Sequence, residues 1–238
     1  MSNRKVDAMI TLREKLKSRF ARRDHVIGLA PKFTSADLVA AVAPRFDYIF
    51  IDCETAGPDI ESIPHLVRAA HLGGACAVVR PWSKDMGLLR RYLGCGIDGF
   101  MMPDVESVAE ISAVRELMNE IYPDSGDTLI YAALIETVKG VEIARDIMLA
   151  DGCDVTYIGT SDLAVSYGLP RRGDHAQVRD ITFGILDTAR TIGKSAGCPV
   201  NKYGMQPVLD AGGSSVMLFM PDVLAAGLGA ALSDWPSA

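Results

Sequence analysis

The chain has 238 residues, 49% of them apolar and 23% charged, and 24 Lys and Arg against 30 Asp and Glu give a formal charge of −6. That balance excludes a disordered chain, which lacks the apolar surface to build a core, and argues against nucleic-acid binding, whose footprint is a basic stripe. The 22 Gly and 12 Pro follow no period, which excludes collagen-like and low-complexity architectures.

Residues 1–20, MSNRKVDAMITLREKLKSRF, are charged throughout and carry no apolar run of the signal-peptide kind. Residues 7–22 read as an amphipathic helix with Met9, Ile10, Leu12, Leu16 and Phe20 on one face, suited to closing one end of a larger fold. Short apolar runs then alternate with helical patterns. HVIGL (25–29) leads to SADLVAAVAPR (35–45), and YIFIDCE (48–54) to ESIPHLVRAAHL (61–72). ACAVVRP (75–81) is followed by GFMMPD (99–104), which leads to SVAEISAVRELMN (107–119). LIYAALIE (129–136) leads to KGVEIARDIML (139–149), and DVTYIGT (154–160) to QVRDITFGILDTARTIG (177–193). KSAGCPV (194–200) and SSVMLF (214–219) complete the strands, and VLAAGLGAALSDW (223–235) is the last helical pattern. Ser35 and Ser107 fit helix N-caps. The stretches 82–86, 104–107, 167–176 and 201–206 read as loops.

Runs this apolar are expected of parallel strands covered on both faces. Eight strand–helix units without a Pro/Gly/Ser-rich linker predict a single (β/α)8 TIM barrel over 1–238, with the N-terminal helix as a cap. A doubly wound open sheet is the alternative, but the first strand runs into APKFTSADL, with no GxGxxG, and no GxxxxGK[ST] occurs. No stretch reaches the roughly 18 apolar residues of a membrane span. The five cysteines, Cys53, Cys76, Cys95, Cys153 and Cys198, form no CxxC and fit buried reduced thiols of a cytoplasmic protein.

Barrels of this kind place their chemistry at the C-terminal ends of the strands. The polar residues there are Asp52 and Glu54, Arg80, Asp104, Glu136, Thr160, Ser161 and Asp162, and Asn201 and Lys202. Strand alternation puts Asp52 and Glu54 on the face of Tyr48 and Phe50, with Cys53 opposite. Glu136 and Asp162 each end an apolar strand, where an unpaired carboxylate is costly. Two such acids on adjacent strands suit Mg²⁺ or Mn²⁺, with water and substrate oxygens completing the shell. A bland reading makes Thr137 or Asp162 a helix N-cap. Arg80 suits a bidentate grip on a substrate carboxylate, an internal bridge to Asp52 or Glu54, or both. GTSDL (159–163) offers backbone amides at a helix start.

In the order FDYIFIDCETA (46–56), VVRP (78–81), MMPDVES (101–107), ALIET (133–137) and IGTSDLAVSYG (158–168), the chain resembles the HpcH/HpaI aldolase/citrate lyase family. The resemblance covers nearly the whole chain. It implies a metal-dependent pyruvate aldolase on a (β/α)8 barrel. Glu136 and Asp162 would hold the divalent metal. Arg80 and the amides around Gly159, Thr160 and Ser161, with Pro103 nearby, would hold the carboxylate of pyruvate, oxaloacetate or another 2-oxo acid. Asp52 and Glu54 would support the metal-water network and the base.

One departure stands out. Family aldolases read Asp-Gly-Glu-His-Ala in the second strand, with the His as acid/base, and here Thr55 stands at the His position. His25, His65, His71 and His175 do not obviously replace it. Asp104 is a candidate substitute base, although a helix cap is the simpler role. Lys202 is the one lysine that this reading places near the site, as a solvated loop residue. The resemblance therefore leaves three readings: an aldolase with an altered base, a citrate-synthase-like or CoA-ester condensing enzyme or lyase, and a non-catalytic oxo-acid-binding relative. It also implies a homo-oligomer, a dimer or hexamer, with the last helix packed between subunits or serving as an ordinary eighth barrel helix.

Overall fold

The computed structural model describes residues 3–55, 57–200 and 203–233; Asn201 and Lys202 therefore lie outside the described residues, as do the side chains of Met9 and Ile10. Helix α1 (Asn3–Ala21) leads into eight parallel strands, β1 (Val26–Ala30), β2 (Tyr48–Asp52), β3 (Cys76–Arg80), β4 (Gly99–Met102), β5 (Ile130–Ile135), β6 (Val155–Ile158), β7 (Ala196–Pro199) and β8 (Ser215–Phe219). Each pairs with the next, and β8 closes on β1. The single barrel read from the alternation is the fold.

Strand parity divides the core in two. Tyr48, Phe50, Cys76, Val78, Met101, Ile130, Ala132, Leu134, Val155, Tyr157 and Met217 face inward and pack together. Ile49, Ile51, Ala77, Val79, Phe100, Tyr131, Ala133 and Ile135 face outward onto the helices, and Cys53 joins that outer layer. Gly28 makes room inside: a Cβ there would lie 2.0 Å from the Tyr48 ring. That space lets the Tyr48 hydroxyl donate to the Tyr157 hydroxyl at 2.6 Å, and Tyr157 bonds Ser215 in turn.

Helix α1 does close the N-terminal end, with Leu16 and Phe20 buried in the inner cluster. Charge fastens it there. Asp47, Asp98 and Asp154 stand immediately before β2, β4 and β6, and each accepts a backbone N–H from the preceding strand, from Ile27 at 2.9 Å, Ala77 at 2.7 Å and Tyr131 at 2.7 Å. Each also pairs with a base of α1: Arg19 with Asp47, Arg13 with Asp98 at 2.8 Å, and Lys17 with Asp154 at 2.8 Å.

The helices are α2 (Ala36–Val42), α3 (Ile63–Leu72), α4 (Met86–Gly94), α5 (Val108–Ile121), α6 (Val138–Glu142), α7 (Ala144–Leu149), α8 (Thr160–Ser166), α9 (Ala176–Thr191), α10 (Met205–Asp210) and α11 (Met220–Ala231). Ser35 and Ser107 cap α2 and α5 as expected. The pattern over 35–45 ends in a 3-10 turn at Ala43–Arg45, and the one over 139–149 breaks at Ile143. The stretches read as loops at 82–86 and 201–206 run into α4 and α10, and the Asp85 side chain caps α4 by accepting from the Leu88 N–H at 2.9 Å. The last pattern starts earlier than expected, at Met220, and only Met220 of α11 is buried; Val223, Leu224 and Leu228 are exposed. The last helix is thus not an ordinary eighth barrel helix lying against its own strands. No helix among the described residues is long and apolar enough to cross a membrane.

Candidate active site

The inward parity that carries Tyr48 and Phe50 ends on Asp52 in β2, as Cys76 and Val78 end on Arg80 in β3, and the register sets Asp52 beside Arg80. Both are buried. Arg80 donates from Nε to Asp52 Oδ1 at 3.0 Å and from Nη2 to Oδ2 at 2.8 Å, a bidentate pair, while its Nη1 lies 2.7 Å from Glu54 Oε2. The internal bridge, to both acids at once, is what forms. Nη2 also donates to Thr55 Oγ1 at 3.3 Å, so among the described residues one of the five N–H groups of the guanidinium, on Nη1, is left for a ligand. The guanidinium sits over the Phe50 ring, 5.6 Å from its centroid.

Burial by itself would raise the Asp52 carboxyl. The hydrogen bonds and charge of Arg80, with Lys32 and Thr55, reverse that and hold it well below the usual carboxylate range. The Thr55 hydroxyl donates to Asp52 Oδ2 at 2.5 Å, and the backbone N–H groups of Glu54 and Thr55 donate to Oδ1 at 3.1 and 3.3 Å. Thr55 therefore braces Asp52. Burial raises the Glu54 carboxyl, which Arg80 counters.

Leu134 and Ile135 end β5, and the next inward position is Glu136. Its Oε1 accepts the Asp104 backbone N–H at 3.1 Å, whereas Oε2 is buried and has no hydrogen-bond partner among the described residues. Burial, reinforced by the charge of Asp104, pushes the Glu136 carboxyl up to about 8. The backbone just past β6 reaches it closely: a Cβ on Gly159 would lie 2.2 Å from Oε2, so only glycine passes there. Asp162 lies in the first turn of α8 rather than at its cap, and its Oδ1 is 2.6 Å from Arg171 Nη2. Thr137, in contrast, is a helix cap, accepting from the Gly140 N–H at 3.0 Å.

A cavity of about 300 Å³ opens at this end of the barrel, lined by Thr55, Arg80, Glu136, Gly159, Thr160, Ser161 and Asp162 among others. Asp52, Glu54, Pro103 and Asp104 are not among the residues that line it. Asp104 does not cap α5, because Ser107 does so by accepting from the Glu110 N–H at 3.3 Å. Instead it adopts a left-handed backbone with φ of 46°, which aims its N–H at Glu136. None of the four histidines lines the cavity. His71 is bonded to Asp98 at the opposite end, at 2.6 Å, and His175 Nε2 donates to the Pro170 carbonyl at 3.0 Å.

The donor set suits a hard divalent cation. A buried carboxylate oxygen without a partner is a costly group, and Asp162 faces the same cavity. Among the described residues no group of three or more His, Cys, Asp or Glu is assembled. Two carboxylates leave the remaining positions to water and ligand oxygens, as Mg²⁺ prefers.

The sequence reading missed Lys32. It follows β1 by two residues, donates to Asp52 Oδ2 and, at 3.2 Å, to Thr55 Oγ1, and lines the cavity. The signal was present in APKFTS, which sits at a strand's C-terminal end like the others.

The HpcH/HpaI aldolase/citrate lyase family model matches residues 31–198. The chain is 27% identical over 187 residues to a 4-hydroxy-2-oxovalerate aldolase of Rhodococcus jostii, covering 68% of this chain and 71% of that one. In fold it is similar to an HpcH/HpaI aldolase/citrate lyase family protein of Burkholderia cenocepacia J2315, with a TM-score of 0.83, 21% identity, and 94% and 100% of the two chains covered. It is also similar to a citrate lyase β subunit of M. tuberculosis complexed with oxaloacetate and magnesium, with a TM-score of 0.60, 20% identity, and 87% and 98% covered. The matched span runs from the loop after β1 to β7 and takes in Asp52, Arg80, Glu136 and Asp162: the chain belongs to the HpcH/HpaI aldolase/citrate lyase family.

Proposed function

We propose that the protein is a lyase that cleaves and forms the carbon–carbon bond between C3 and C4 of a small 4-hydroxy-2-oxo acid, with Mg²⁺ or Mn²⁺ as cofactor. The observation that carries this reading is the partnerless Oε2 of buried Glu136, facing a cavity shared with Arg80 and Asp162. A divalent cation held by Glu136 and Asp162 supplies charge that polarises the 2-oxo group. The chain's own groups do the rest. The free N–H of Arg80 and the amides of Thr160 and Ser161 hold the substrate carboxylate. Asp52 and Glu54 fix the Arg80 plane, and Thr55 braces Asp52. Inward Leu134, Tyr157 and Met217 floor the cavity and keep water from the far side of the substrate. The Rhodococcus relative's name and the oxaloacetate and magnesium of the M. tuberculosis structure support the substrate class and the cation. A volume of about 300 Å³ matches a small oxo acid.

The test is cleavage of a panel of 4-hydroxy-2-oxo acids with Mg²⁺, Mn²⁺ or chelator present. Metal-dependent release of pyruvate supports the reading; metal-independent turnover contradicts it. The exposed apolar residues of α11 favour self-association of the chain as well.

A further inference from the structure

Resting on the function proposed above, we propose that Lys32 is the catalytic residue that exchanges a proton with the C4 oxygen of the substrate. The ionisable side chains lining the cavity, among the described residues, are Lys32, Arg80, Glu136, Tyr157, Asp162 and Arg171. Guanidinium groups do not surrender a proton, which removes Arg80 and Arg171. Glu136 and Asp162 are given to the cation. The Tyr157 hydroxyl is fully occupied, bonded to Tyr48 at 2.6 Å and to Ser215. Thr55 Oγ1 gives its hydrogen to Asp52 at 2.5 Å and has none for a ligand. Lys32 remains.

Independent geometry favours it. Lys32 has a φ of 59°, in the left-handed region that a side chain with a Cβ rarely adopts. Backbone outliers of this kind cluster at functional sites, where the surroundings hold them. This one sits two residues past β1 and brings the side chain over the barrel mouth. There the nitrogen lies 5.6 Å from the Phe219 ring centroid and donates to Asp52 Oδ2 and to Thr55 Oγ1 at 3.2 Å. An ammonium has three hydrogens. Two are engaged, and among the described residues nothing takes the third, which can meet a ligand oxygen. Thr55 and Asp52 are thus positioning residues for Lys32, and a lysine after β1 does the work that the side chain of Thr55 is unable to do.

In cleavage, Lys32 first gives its third proton to water, and the lone pair so freed takes the proton of the C4 hydroxyl. The O–H pair becomes the second bond of the aldehyde carbonyl, the C3–C4 bond breaks, and its electron pair passes into the enolate of C3, C2 and the 2-oxo oxygen. The enolate then takes a proton from water at C3 to give pyruvate. In the reverse direction the Lys32 ammonium protonates the C4 oxygen as the bond forms.

The experiment compares two reactions of one enzyme. Cleavage of a 4-hydroxy-2-oxo acid needs the hydroxyl proton removed. Decarboxylation of oxaloacetate reaches the same enolate by losing CO₂ and moves no hydroxyl proton. Replacing a general acid/base costs roughly a hundredfold to ten-thousandfold. In Lys32→Met and Lys32→Arg the ratio of cleavage to decarboxylation, each as kcat/KM, falls by at least about a hundredfold. Ethylamine added to Lys32→Ala restores cleavage. Lys32→Arg retains a cation beside Asp52, so its loss of cleavage reports the proton and not the ion pair. A parallel fall of both reactions in all three variants overturns the assignment and makes Lys32 a prop for Asp52. Borohydride trapping of pyruvate on Lys32 overturns it too, in favour of a covalent imine. If the unaltered protein catalyses neither reaction, the function proposed above fails, and this assignment with it.

Discussion

Asp52 carries four partners on one carboxylate, and its stability contribution follows from their sign. Arg80, Lys32 and Thr55 hold its folded pKa below the unfolded value of about 3.9. The folded state therefore binds fewer protons than the unfolded one between those two values, so the contribution is intact above about pH 4 and lost as pH falls through the folded value. Asp52→Asn leaves buried Arg80 with Glu54 as its one acidic partner and is expected to cost about 3 kcal/mol at pH 7, measured by urea unfolding. The same titration at pH 3 to 4 is expected to show a smaller gap between variant and parent. Gly159→Ala tests the closest contact of the site: its methyl would lie 2.2 Å from Glu136 Oε2. The expected outcome is a chain with a native far-UV spectrum whose thermal midpoint no longer responds to Mg²⁺. Glu136 was legible in the sequence because an acid ending an apolar strand is conspicuous. Lys32 was legible only as a polar residue shortly past a strand, because β1 ends on Ala30 and a left-handed φ leaves no mark on a lysine. The Arg80 clasp was legible only as one of two alternatives, since residue order does not say which acid the guanidinium turns toward.

At the scale of elements, α1 is held at the barrel's closed end by three aspartates that recur before alternate strands. Asp98 is fully buried between Arg13, His71 and the Ala77 N–H. Asp98→Ala leaves Arg13 buried without its partner and is expected to lower stability by about 3 kcal/mol. Because the cavity lies at the other end, metal-dependent turnover per folded molecule is expected to hold. A loss of turnover matching the loss of stability at temperatures well below the midpoint would contradict that separation of ends. The strands were legible in the sequence because both faces are buried, which makes each run apolar. Two helices were not marked, α4 and α10, of 9 and 6 residues, and of α8, of 7 residues, only the start was. Segments so short hold too few apolar positions for a 3.6-residue period to stand out, and their formation rests on packing against the barrel. The break at Ile143 was hidden for the converse reason, since the apolar spacing of 139–149 continues through it.

Across the whole molecule, the near-complete agreement between expected and observed strands follows from barrel closure, which buries both faces of all eight strands and so makes every one of them an apolar run. The exception is α11. Its Val223, Leu224 and Leu228, with Leu232 beyond it, are exposed, an apolar surface that no described residue covers. Sequence alone left both possibilities for this helix, because an apolar face reads alike whether its own barrel or another copy covers it. Self-association predicts that Leu228→Lys with Leu232→Lys shifts the sedimentation coefficient toward a single chain, and an unchanged coefficient would contradict it.

The central claim is that Glu136 and Asp162 form a cation site that supports an enolate of a 2-oxo acid. Exchange of the pyruvate methyl protons with deuterated solvent, followed by NMR, reads that enolate without requiring the physiological substrate. The account predicts exchange that needs Mg²⁺ or Mn²⁺, stops on chelation, and falls at least about a hundredfold in Glu136→Gln. Exchange that persists in chelator, or that Glu136→Gln leaves at the rate of the unaltered protein, would contradict it.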